Sequence, residues 1–381
     1  MAHRWVFARF RERAGWRVPF RFFLVLCSLE LGYVSNAHAQ LTITTIDAPG
    51  AGTQQSQGTT PTAINPAGAI TGYFFDANWT GHAFLRSHEG IFTIVDGPGA
   101  NSITGTVATA INPSGTITGY YVVDRPGCCP HEATTFGFVR TPDGAFTTFA
   151  VPGADGAGGG TVPLSINSSG AITGYYFPEF NASHSFVRNA NGAITTFDPP
   201  NTHEGIGSAA QSINDEGAIT GFYAGDTSQV SFIHGYLRSP DGTFTTFDAP
   251  GTPTETVPCC INLSGTIAGT YLVPDANGNT GAHPFLRASD GTITAFDFFA
   301  SIRGINPRGS FVGSYATAGN PSQAHGYVRH PDGTFISFDA PGVGACSGSL
   351  FTEPTGVSPS GAITGWYEDA NCANHGFLAK Q

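Results

Sequence analysis

Basic residues are scarce in this chain: 16 Lys plus Arg stand against 27 Asp plus Glu, a formal net charge of −11. Six of the basic residues, all Arg, and two of the acidic ones fall in the first 39 positions. The other 342 residues therefore carry ten against 25, a net of −15. A surface that acidic argues against nucleic acid and anionic membranes as partners. Long hydrophobic runs are missing as well. FFLVLCSL at 22–29 is too short to span a bilayer, and no later stretch resembles a transmembrane helix. No segment has a helical period. There is no nucleophile elbow, no His-Glu-x-x-His and no phosphate loop after a strand, so no reaction class and no cofactor follows from motifs.

What is present begins with a leader. Arg4, Arg9, Arg11, Arg13, Arg17 and Arg21 precede the apolar run, and Ala37-His38-Ala39 has small residues where a signal peptidase reads. Residues 1–39 are expected to be a signal peptide and 40–381 the mature domain. The mature chain is then secreted, periplasmic or at the cell surface, with no membrane insertion, and its six Cys are free to form disulfides.

A phrase recurs. HGYLRSPDGTFTTFDAPG at 234–251 returns as HGYVRHPDGTFISFDAPG at 325–342, and its second half stands alone as LTITTIDAPG at 41–50. The other half of the unit ends in Ile-Asn. That pair falls at Ile64-Asn65, Ile111-Asn112, Ile166-Asn167, Ile213-Asn214, Ile261-Asn262 and Ile305-Asn306, with Val357-Ser358 in the seventh copy, at spacings of 44 to 55 residues. Periods of that size indicate a solenoid or a propeller. Each unit reads as four strands. The first ends at Ile-Asn; an Asn-Pro-Ser-Gly type of turn leads to the ITGYY strand; a variable loop leads to HGYLR; a Pro-Asp-Gly turn leads to TFTTFD. The expected fold is all-β, a seven-bladed β-propeller of four-stranded blades. The seventh unit stops at HGFLAKQ and lacks a fourth strand, which the orphan LTITTIDAPG would supply, closing the ring and removing two free sheet edges.

The repeated His-x-aromatic-x-Arg with its turn and DAPG tail resembles the HAF repeat family of bacterial extracellular proteins. It is carried here by HAFLR at 82, HSFVR at 184, HGYLR at 234, HPFLR at 283, HGYVR at 325 and HGFLA at 375. Phe136 in unit two and Ala379 in unit seven depart from the pattern. The resemblance implies an exported bacterial repeat protein and transfers no activity.

Residues filled alike in every unit read as architecture, so function is sought in the departures. The two short turns of every unit share one face, and the variable loops share the other. His203 and Glu204 precede unit four, Glu255 unit five and Glu353 unit seven, while Arg303 falls in the inner strand of unit six. They would form a polar cup at the channel mouth; the plain alternative is solvated loop residues. Trp79, in a variable loop, is a stacking platform for a sugar or a packed anchor. Cys128, Cys129, His131 and Glu132 fit zinc poorly, because adjacent Cys lack the usual spacing. Asp275–Asn279 lacks the glycine and distal Glu of a calcium loop. No metal site is assigned.

Cys346 and Cys372 lie in loops of the last unit and are expected to form a disulfide. Cys260 is expected to be a packing residue, and no pairing is read for Cys128, Cys129 or Cys259. Six units carry His at the start of the third strand, and five of them carry Asp fourteen residues later: His82 with Asp96, His184 with Asp198, His234 with Asp248, His283 with Asp297 and His325 with Asp339. Unit two has neither, with Phe136 and Ala150. Strand start and hairpin partner are neighbours, so a structural pair is expected in each unit, with His375 taking Asp47 across the seam. The expected function is a monomeric, non-catalytic, exported propeller that binds a glycan or an extracellular protein. The alternative is a secreted hydrolase or lyase acting on a polysaccharide at the channel mouth.

Overall fold

In the computed structural model the described residues are 41–100, 103–124, 133–178, 182–225, 232–251, 255–274, 280–317, 320–346 and 349–380. The expected leader, Cys128, Cys129, His131, Glu132 and the 275–279 segment lie outside them. Among the described residues there are 28 strands and no helix. Unit one shows the pattern: Gly58–Ile64, Ile70–Phe75, Gly81–Arg86 and Phe92–Val95 pair antiparallel in sequence order. Three sheets of 12, 8 and 8 strands result, because some neighbouring units are joined by a short parallel bridge, such as Gly58 beside Asn374.

The turn after the first strand explains the recurring Asn. Its side-chain oxygen accepts the backbone N–H four residues on, as Asn65 does from Ala69 at 2.9 Å. The glycine of that turn sits at positive φ, 82° at Gly68 and 88° at Gly115, where a Cβ would be strained. The Asn amide then donates outward to the backbone carbonyl of the equivalent residue in the next unit. Asn65 donates to Asn112, Asn112 to Asn167, Asn167 to Asn214, Asn214 to Asn262, Asn262 to Asn306 and Asn306 to Ser358, all at 3.0–3.2 Å and buried. The strand glycine has another cause. Gly72 faces a bulge in the first strand between Pro61 and Ala63, and a Cβ there would collide with the Thr60 carbonyl.

The Arg ending the third strand also links units in four places. Arg188, Arg238, Arg287 and Arg329 lie 4.5–5.0 Å over Phe149, Phe197, Phe247 and Phe296 of the preceding unit. Cation–π contacts of this kind contribute about 0.5–2 kcal/mol each. Between units the apolar faces of the strands meet, as Ala83 and Val95 of unit one do with Ile117 and Tyr121 of unit two.

The orphan segment forms a strand, Thr42–Ile46, paired antiparallel with the third strand of unit seven, Asn374–Lys380. Unit seven packs on unit one as the others pack on their successors. Thr355 donates to the Pro61 carbonyl at 2.9 Å, matching Thr62 to Ala108 at 2.9 Å and Thr109 to Pro163 at 3.0 Å. Ser358 breaks the ladder here, for it has no amide to give Asn65. Its hydroxyl still accepts from Ala362 at 3.1 Å, as Asn would. Ser358→Asn should therefore add one buried hydrogen bond and raise stability by about 1 kcal/mol. A thermal melt beside the parent protein checks this.

Unit six departs from expectation. Its first strand is only Gly304–Ile305, and Arg303 precedes it instead of lying within it. The DAPG tail and loop are missing between Asp297 and Ile305, so the chain enters the unit with little slack. Units five and seven depart the other way. Glu255 opens the first strand, Glu255–Ile261, and Glu353 lies inside Leu350–Val357. Both were expected in loops; parallel bridges to the preceding units, Ile233 with Glu255 and Ala324 with Phe351, extend these strands.

Candidate functional site

The recurring His residues form a layer where the variable loops begin. An aromatic residue near the end of the second strand stacks on each: Phe74, Tyr176, Tyr223, Tyr271, Tyr315 and Tyr367 lie 5.1–5.5 Å from His82, His184, His234, His283, His325 and His375. In unit two Phe136 fills the slot and stacks on Tyr121 at 5.6 Å. The His Nδ1 lies within hydrogen-bond distance of the Asp carboxylate at Asp96, Asp198, Asp248 and Asp339, at 2.7–2.9 Å. His375 meets Asp47 at 3.0 Å although 328 positions separate them. The pair expected between His283 and Asp297 does not form. Phe299 packs against His283 at 5.0 Å, and the Nδ1 is buried without a partner. The fourth strand of unit five, Ile293–Ala295, is one residue short, and the chain turns away before Asp297 comes opposite.

Asp47 holds His375 in its charged form, and Asp369 at 3.6 Å assists, so its pKa is raised above the ordinary 6.5 despite partial burial. A raised histidine pKa stabilises the fold fully below about 6.5, and that stabilisation fades as pH rises through the raised value. The Asp47 side chain is 44% exposed, which puts the pair near the low end for charge-assisted bonds. Asp47→Ala should cost about 1 kcal/mol at pH 6 and less at pH 9. Urea titrations at the two pH values check the trend.

Cys346 and Cys372 are joined in a disulfide, with Cα atoms 4.9 Å apart. Replacing both with Ser should cost about 3 kcal/mol, by loop closure over the 26-residue separation. Denaturant unfolding and peptide mass of the unreduced protein check it. Cys260, expected to be a packing residue, is instead bonded to its neighbour Cys259. These two replace Thr62-Ala63 of unit one at the bulge of the inner strand, where the backbone brings the adjacent side chains together.

Of the candidate polar residues, only two meet. Arg303 Nε donates to Glu353 Oε1 at 2.6 Å; the carboxylate side is 7% exposed and the Arg side chain 53%. Glu353 in turn keeps the guanidinium firmly protonated. Burial, aided by Glu353, pushes the Tyr327 phenol far up. Glu255 is half-buried, and desolvation raises its carboxyl pKa. His203 accepts the Gly205 N–H at 3.0 Å through Nδ1 and caps its own turn, while Glu204 is exposed. Trp79 sits at φ 66°, 39% exposed, with its ring 6.2 Å from Phe75. Two clefts of about 390 and 350 Å³ open between units on the opposite face, at the short turns, lined by Arg308 and Arg329 in one and Asp215 and Arg238 in the other.

Sequence reasoning missed one set. The residue after each strand glycine is Tyr73, Tyr120, Tyr175, Phe222, Thr270, Ser314 or Trp366. Tyr73, Tyr120, Tyr175, Phe222 and Trp366 are half-buried. The signal was available as a repeat position that is aromatic in five units and small in two.

No protein-family model matches the chain, and no curated protein matches it. Solved structures do. Virginiamycin B lyase from Staphylococcus aureus is similar at 13% identity over 90% of this chain and 100% of its own, with a TM-score of 0.54. A streptogramin B lyase is similar at 14% identity over 89% and 98%, TM-score 0.51. The β-propeller domain of the Trilobed protease from Pyrococcus furiosus is similar at 10% identity over 85% and 97%, TM-score 0.56. At these identities the likeness carries the fold alone: the chain is a β-propeller.

Proposed function

We propose that the protein is an exported, monomeric propeller of seven blades that binds a glycan from its variable-loop side and performs no chemistry on it. In this reading Thr42–Ile46 completes the last blade and closes the ring, and the chain is a member of the HAF repeat family. Two disulfides and the leader-like first 39 residues support export. The contact of Thr355 with Pro61 across 294 positions supports closure.

One observation carries the functional reading. Most residues shared by the units, His, Asp, Arg and Asn, are consumed in contacts within and between units. The residues peculiar to one unit, Trp79, Glu204 and Arg303, keep surface open to solvent. A site repeated in every unit does not do local chemistry; a singular exposed aromatic suits the face of a sugar ring. The purified mature protein on a glycan array should show selective binding that weakens in Trp79→Ala. An array without signal, with capture of a protein instead, would contradict this.

The second reading is a polysaccharide hydrolase or lyase, and Glu255 favours it. A half-buried carboxyl with a raised pKa is suited to donate a proton. Release of reducing ends from a polysaccharide, abolished by Glu255→Gln, would establish that reading over the first. The names of the two similar lyases add nothing to it at 13–14% identity.

A further inference from the structure

Six of the seven residues that follow a strand glycine stand directly opposite a residue of their own first strand. The pairs are Thr60 with Tyr73, Val107 with Tyr120, Val162 with Tyr175, Ala209 with Phe222, Val257 with Thr270 and Glu353 with Trp366. The first-strand members Thr60, Val107, Val162, Ala209 and Glu353 are buried, and a half-buried ring lies opposite each. The second strand of unit one packs on the first strand of unit two, and the same holds for units two and three and for units seven and one. One row therefore runs through successive units as Trp366, Tyr73, Tyr120, Tyr175 and Phe222. In units five and six the row shrinks to Thr270 and Ser314.

The polar groups of this row are unusual. Neither the Tyr120 nor the Tyr175 hydroxyl is hydrogen-bonded by a protein group among the described residues. Burial raises the Tyr120 pKa, and Tyr73 and Tyr175 push it further, which places the three phenols near one another and keeps them as O–H donors. Thr60, 7% exposed, lies beside Tyr73, yet its hydroxyl makes no hydrogen bond of good geometry. At the unit-seven end, Phe351 stacks on one side of Trp366 at 6.1 Å and 6° between planes. Glu353, opposite Trp366, holds one guanidinium N–H of Arg303, whose remaining donors sit on a side chain 53% exposed.

We propose that this inner row, Trp366, Tyr73, Tyr120 and Tyr175 with the Arg303–Glu353 fork, is a binding site for a neutral oligosaccharide. Aromatic faces take the C–H faces of pyranose rings, and phenols both donate to and accept from ring hydroxyls. The fork presents the remaining Arg303 donors to ring hydroxyls, and its charges cancel, which favours a neutral sugar over an acidic one. A purely apolar ligand would strand the phenols, Thr60 and the fork without partners. This rests on the glycan reading above and moves its centre from the loop rim to the inner row.

Trp79 and Trp366 are the only tryptophans after residue 39, so each reports one location. The mature protein carrying Trp79→Phe leaves Trp366 as the only emitter, and Trp366→Phe leaves Trp79. Each is titrated with cello-, xylo-, chito- and maltohexaose. At least one sugar should shift the Trp366 emission, and Tyr120→Phe and Tyr175→Phe, which remove only a hydroxyl, should each weaken its binding about tenfold with an unchanged melting temperature. If a sugar shifts only Trp79 and the Tyr variants bind as the parent does, the glycan reading stands and the inner row is wrong. If none of the four shifts either emission at millimolar concentration, both fall.

Discussion

A chain that starts at Ala48, lacking residues 41–47, is expected to lose about 5 kcal/mol or more and to unfold without a sharp transition. The strand Thr42–Ile46 is paired over its whole length, from Thr42 beside Lys380 to Ile46 beside Gly376. Ile46 is 4% exposed and packs with Phe74, Phe84 and Leu378, so its loss alone costs about 2–5 kcal/mol. Thr45 also bonds Tyr367 at 2.9 Å, and the His375–Asp47 pair goes with the strand. Removal leaves the third strand of unit seven as a bare edge, open to pairing with another copy. Against a total stability of about 5–15 kcal/mol, little remains. Urea unfolding of the truncated and parent chains checks it, and a synthetic 41–50 peptide added in trans should restore the transition. A truncated chain that melts like the parent would mean that the segment is an ornament.

Arg303→Met should be strongly destabilising at neutral pH. It leaves Glu353, 5% exposed, without its counter-charge, at a cost of about 3 kcal/mol. That is the low end for a broken buried pair, because half the Arg side chain is in water. Adding Glu353→Gln to Arg303→Met should recover most of the loss, since no charge is then stranded. Unfolding curves of the single and double variants distinguish this from simple lost packing, which Glu353→Gln would not repair.

The repeat made much of the fold readable, and the reasons are local. Asn at the strand end, glycine at positive φ three residues on and the small residue before Ile each answer a constraint within about four positions, so they recur visibly. The His–Asp pairing was readable because unit two lost both members together. The failures have a common physical cause: they depend on the neighbouring unit. Glu255 and Glu353 lie in strands because a parallel bridge to the preceding unit extends those strands. Arg303 sits outside its strand because unit six is entered on a shortened connection. His283 and Asp297 miss each other for the same reason, with Phe299 in the space between strand and loop. Cys259 and Cys260 stand where other units have unreactive residues, so their bond left no trace in the pattern. Of the candidate site, only the contact of Arg303 with Glu353 emerged as a pair. The tyrosine row was visible in the sequence, but alternation alone does not say which face of a strand is covered.

The central claim is that the chain closes on itself, with its first strand held as part of the last unit. Native-state hydrogen exchange of the backbone amides in 42–46 tests it most directly. Closure predicts that the hydrogen-bonded amides there exchange only by global unfolding, at the rate of the slowest amides in 376–380, and that both speed up together in Asp47→Ala. Exchange of 42–46 within seconds, while 376–380 stays protected, would contradict it.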